Sequence, residues 1–160
     1  MNWRDVSGLM GLTRSRGIIR RYFVVNGFDG ALTMLGLIIG FLLAGSDDQA
    51  LLLKTCSGAA IALGVSGISS AWITESAEGK RALDKLEDAM MTDLQESVHG
   101  KASRLTPLLV ALVNGMAPLL ISLLIISPLV WSVAELPLPL PATHLSVLVA
   151  LSLVFLLGVF

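Results

Sequence analysis

Apolar residues run almost unbroken through residues 22–45, 50–74, 105–133 and 142–160, with polar residues gathered between these stretches. A helix needs about 20 apolar residues to cross a hydrocarbon core ~30 Å thick, so each stretch approaches or exceeds spanning length. The pattern predicts four transmembrane helices. Between the second and third the pattern changes. From Glu75 to about His99 the chain is charged, and Ala82, Leu83, Leu86, Met90 and Leu94 share one face at helical period. The second span is therefore expected to continue as an amphipathic helix, with Gly100 as its stop and Pro107 in the first turn of the third span. The organisation expected is a basic N-terminal segment at 1–21, two spans within 22–74, a charged helix at 75–104 and two spans within 105–160. The fold class is all-α, a polytopic helical membrane protein.

The first two spans are joined only by "SDDQ", which makes them antiparallel neighbours. Span two carries Gly58, Gly64, Ser66, Gly67, Ser69 and Ser70, small residues that let helix backbones approach closely. It is expected at the centre of the bundle. Asn114, Gly115 and Pro118 interrupt span three, so a kink and freed carbonyls are expected there. A proline-spaced strap, "ELPLPLPA", leads to span four, which ends in bare "FLLGVF"; further helices beyond it are an open expectation.

Composition agrees: 54% of residues are hydrophobic and 14% charged, and mean hydropathy is +0.80. The net charge of -1 points to no nucleic-acid partner; what matters is where the charges fall. Arg4, Arg14, Arg16, Arg20 and Arg21 precede span one, and Lys80, Arg81, Lys85, Lys101 and Arg104 separate spans two and three, leaving Lys54 alone on the other side. The positive-inside rule then puts the N-terminus and residues 75–104 in the cytoplasm, and the short chain suits a prokaryotic plasma membrane. Residues 1–21 also mix apolar and basic side chains, as a segment lying on anionic lipid would. The single cysteine, Cys56, excludes an internal disulfide and a thiolate metal cluster within one chain.

The chemistry begins at Asp29, about eight residues or roughly 12 Å into span one. A carboxylate at that depth costs on the order of 2.5–3.5 kcal/mol, so it needs a partner or a water path. Asn26 and Thr33 lie one turn to either side, and Gly27, Gly30, Gly36 and Gly40 would let a backbone or an ion come close. With Ser70, Glu75 and Asn114 these residues form the expected polar path. Hard divalent cations prefer such oxygen donors.

"GFDGALTMLGLIIG" resembles the first-helix signature of the vacuolar iron transporter family, a Gly-x-x-Asp-Gly followed by a hydroxyl residue and spaced glycines, although here one residue and not two separates Gly27 from Asp29. At the end of span two the family carries a Ser-Met-Ala-Ala-Gly-Glu-Tyr-like stretch. Here "SAWITES" keeps Ser70 and Glu75, with Ala71 in place of the methionine and Ser76 in place of the tyrosine. Span three is similar to the family's third helix in its leading and late prolines. The resemblance covers about residues 20–130 and implies a homodimeric five-helix transporter that moves ferrous iron or manganese out of the cytosol, often against protons. No permanently bound cofactor is implied, since the metal is cargo. Carried over, it places Asp29 and Glu75 on a path at the dimer interface.

The charged segment adds candidate ligands. Glu75 and Glu78 stand three apart, as do Asp84 and Glu87, and Glu96 with His99 makes a Glu-x-x-His step of the kind found in di-iron bundles. Lys80, Arg81 and Lys85 are interleaved among them, as on a solvated helix with ordinary ion pairs. The metal set expected is Asp29, Glu75, Glu78, Glu96 and His99. His144 fits an exit-side group or an interfacial residue, and Met34 and Met116 fit soft ligands or packing. No nucleophile with an adjacent base appears, so no enzyme is expected. The alternatives are a non-transporting membrane scaffold of the same fold and, further off, a carboxylate di-iron oxidase.

Overall fold

A computed structural model describes residues 14–137 and 139–159. Among them there are four helices, α1 (Arg14–Leu43), α2 (Gln49–Met90), α3 (Val98–Val133) and α4 (Ala142–Val159). All four are long and apolar enough to cross a membrane. The fold is all-helical, with no strand among the described residues.

Among the described residues α1 is already helical at Arg14, ahead of the expected Tyr22, because apart from Gly17 nothing in "RSRGIIRR" opposes helix. Residues 1–13 of the expected N-terminal segment lie outside the described residues. Asp48 caps α2, its carboxylate accepting from Leu51 N at 2.9 Å.

Helix α2 then runs unbroken for 42 residues, about 63 Å. It stops at Met90, not Gly100. Met91 turns left-handed at φ 49°, and the Glu87 carboxylate accepts from Leu94 N at 2.9 Å, so the chain leaves the helix before Leu94. Ser97 caps α3. Gly100 is inside that helix, where a Cβ would sit 2.6 Å from the Leu94 carbonyl oxygen as the turn folds back. Pro107 is consequently well within α3 and not in its first turn.

Helices α2 and α3 form the central antiparallel pair, in one register along their length. At one end Ser132 Oγ donates to Gln49 Oε1. Midway, a Cβ on Gly67 would be 2.9 Å from Asn114 O and 3.0 Å from Gly115 Cα. Near the α2–α3 turn, a Cβ on Gly79 would be 3.1 Å from Ser103 O. The prolines account for these contacts. Pro107 and Pro118 cannot donate to Ser103 O and Asn114 O, and each freed carbonyl lies against a glycine of α2 where a Cβ would crowd it. The third freed carbonyl, Leu124 O below Pro128, accepts from Ser127 Oγ at 2.8 Å.

Helices α1 and α4 pack on this pair. The core lies toward the end away from the α2–α3 turn, around Met34 and Ile38 of α1, Leu52 and Cys56 of α2, Ile125 and Leu129 of α3, and Ala150 of α4. The outer surface is itself apolar, exposing Ile61, Val65, Ile73, Leu124, Leu151 and Phe155.

Candidate functional site

The inward face of α1 is set by Gly27, Gly30, Ala31, Met34 and Ile38. Gly30 sits on α3 so closely that a Cβ would be 2.8 Å from the Cα and the carbonyl oxygen of Pro118, and a Cβ on Gly27 would meet Leu157 at 3.1 Å. Both glycines make the close approach expected of them. Within the one chain, a Cβ on Gly36 or Gly40 would meet nothing within 4 Å. They lie on the opposite side of α1.

Asp29 lies there as well. At 100° per residue it is turned about 200° from Gly27 and about 100° from Gly30, so packing those glycines inward sends the carboxylate outward. It is exposed, and the hydrogen bonds and ion pairs among the described residues do not include it. Within one chain, then, Asp29 is not brought together with Asn26, Asn114 and Glu75 of the expected path. With half-buried Thr33, Gly36 and Gly40 it forms an outward stripe along α1.

The buried seam is built from asparagines instead. Asn26 Nδ2 donates to Tyr22 O at 2.8 Å and to Asn114 Oδ1, and Asn114 Nδ2 donates to Gly67 O at 2.7 Å. Asn114, 6% exposed, thus clasps α1, α2 and α3 with its acceptor and donor both engaged. One turn nearer the α2–α3 turn, Tyr22 OH donates to Glu75 Oε1 at 2.8 Å. Sequence reasoning misses Tyr22; the signal for it is a phenol one helical turn from Asn26 on the same stripe.

Glu75 also lines a cavity of about 250 Å³ between α2 and α3, shared with Gly79, His99, Ser103, Thr106 and Pro107. Of the expected metal set, the structure brings only Glu75 and His99 to one cavity. Glu78 is exposed and paired with Arg81 at 3.3 Å. Glu96 lies in the turn ahead of the Ser97 cap while His99 is in the first turn of α3, so the Glu-x-x-His step is not two ligands on one helix. Ser70 is exposed, its hydroxyl donating to Gly67 O at 3.3 Å, away from Asp29. Among the described residues no three His, Cys, Asp or Glu side chains are grouped to hold a metal. His144 lies at the far end, in a cavity of about 360 Å³ with Asp47. Met34 is core, and Met116 faces outward.

No family model matches the sequence, and no curated protein or solved structure matches it.

Proposed function

We propose that the chain is an integral membrane transporter that works as a homodimer and exports a divalent transition-metal cation, ferrous iron or manganese, from the cytosol in exchange for protons. The observation that carries this reading is the outward Asp29 stripe. A carboxylate left to lipid costs on the order of 2.5–3.5 kcal/mol, whereas a second copy packed through Gly36 and Gly40 would set two Asp29 side chains across a two-fold axis. Paired carboxylates in low dielectric hold either a hard divalent ion or a proton, which is the exchange that antiport needs. The Glu75 and His99 cavity lies at the end that collects the basic residues and is the entry side in this reading.

A non-transporting scaffold is favoured by one observation. Ala71 is 5% exposed on the packing face of α2, so the position where the family has its methionine offers no soft ligand. The oxidase reading loses its helical Glu-x-x-His motif and is not proposed.

Manganese uptake into proteoliposomes, read with an enclosed metal-sensitive dye, tests the proposal. Wild type should transport and Asp29→Asn should not, with helix content unchanged. Equal uptake by both removes Asp29 from the path, and uptake by neither favours the scaffold.

A further inference from the structure

A second cavity, about 520 Å³, opens on the α2–α3 groove near their turn, and Trp72, Ser76, Lys80, Asp84, Gln95 and Arg104 are among its lining residues. Its charges are unequal, with two cations against one carboxylate. The ion pair formed among the described residues is Arg81–Glu78, so neither Lys80 nor Arg104 has a carboxylate within 4.0 Å there. Arg104 Nη2 instead donates to Gln95 Oε1 at 3.4 Å.

The groove is graded along its length. On α2, Ile68, Trp72, Ser76 and Lys80 follow one another at four-residue steps, which is one stripe of a helix. On α3, Leu112, Leu108 and Arg104 follow one another at the same four-residue step, all exposed, with Arg104 in the cavity lining. Leu108, Leu112 and Trp72 are each close to half exposed. From the core end outward the groove therefore runs apolar, aromatic, hydroxyl, cationic. That is the order of chemistry along a phospholipid, from acyl chain through the ester region to phosphate. The depth agrees. The α2–α3 register sets Trp72 opposite Leu109, and from Leu109 to exposed Trp131 is about 33 Å along α3, close to the ~30 Å hydrocarbon thickness between two aromatic belts.

We infer that this groove is a binding site for an anionic phospholipid of the leaflet at the α2–α3 turn, its phosphate held by Lys80 and Arg104 and its chains lying over Leu108 and Leu112. The inference rests on the membrane reading above and is independent of transport.

The test uses the full chain with Trp3→Phe and Trp131→Phe, so that Trp72 is the remaining fluorophore, in phosphatidylcholine vesicles doped with brominated phosphatidylglycerol or brominated phosphatidylcholine. Half-maximal quenching is expected at a roughly fivefold lower mole fraction of the brominated phosphatidylglycerol. Lys80→Gln with Arg104→Gln should abolish that preference, and Glu78→Gln with Arg81→Gln should retain it, with helix content checked by circular dichroism in each. Inorganic phosphate should not compete. Equal quenching by the two lipids, a preference that survives in the Lys80 and Arg104 variant, or its loss to inorganic phosphate overturns the site. Quenching by neither lipid overturns the membrane placement itself, which separates the two failures.

Discussion

Replacing Gly67 with alanine is the sharpest test of how the central helix pair is held. The new methyl would lie 2.9 Å from Asn114 O and 3.0 Å from Gly115 Cα, both backbone atoms that no rotamer change can move. Contacts tighter than 3.4 Å are rare for real Cβ atoms, so α2 and α3 must part by about half an ångström. Overpacking of this kind costs about 1–3 kcal/mol, and lengthening the 2.7 Å bond from Asn114 Nδ2 to Gly67 O adds about 0.6 kcal/mol. Alanine's better helix propensity returns about 1 kcal/mol, leaving a net loss of about 0.6–2.6 kcal/mol. Gly58→Ala is the control. It lies on the same helix with nothing within 4 Å of its Cβ position and should be neutral or stabilising by up to about 1 kcal/mol. Both are read by SDS titration in mixed micelles, followed by far-ultraviolet circular dichroism. If Gly67→Ala unfolds at the same SDS fraction as Gly58→Ala, the close approach does not hold the pair.

The same assay serves three further substitutions. Asn114→Leu removes the clasp and leaves Gly67 O and Asn26 Nδ2 short of a partner, so it should cost about 1–3 kcal/mol; an unchanged midpoint would contradict the clasp. Tyr22→Phe should cost about 0.5–1.5 kcal/mol alone and much less in a Glu75→Ala background, which removes the acceptor, and additive losses in the double-mutant cycle would mean the two side chains act independently. The Ser122 hydroxyl is fully buried and has no hydrogen-bond partner among the described residues, so Ser122→Ala should be neutral or stabilising; a loss above about 1 kcal/mol would reveal a partner for that hydroxyl.

The four helices are legible because their signal is long-range apolar content, which local detail hardly disturbs. Their ends are less so. Gly100 reads as a helix stop by residue preference, but the stop is made at Met91 through the Glu87 carboxylate and the Ser97 cap, side-chain partners that composition does not rank. The outward turn of Asp29 has a geometric cause. Asn26 and Asp29 lie one turn apart, about 60° around the helix, and that turn separates a half-buried amide from an outward carboxylate. Sequence marks both as polar in an apolar run, but not which of them the neighbouring helix meets. That was decided by Gly30 seating on Pro118. Glu75 and His99 come together only because α2 and α3 reverse between them, which spacing along one helix cannot express.

The contacts between α2 and α3 at Gly67 and Gly79 are made to main-chain atoms, and this determines which positions are free to drift. A helix pair held by leucines can trade one apolar shape for another with repacking, whereas a carbonyl lying against a missing Cβ accepts no substitute. Chains that keep this architecture are therefore expected to share little beyond the phase of a few landmarks, Gly67 and Gly79 on one helix against Pro107, Asn114 and Pro118 on the other. Kinship among such proteins would be written in intervals rather than in identities.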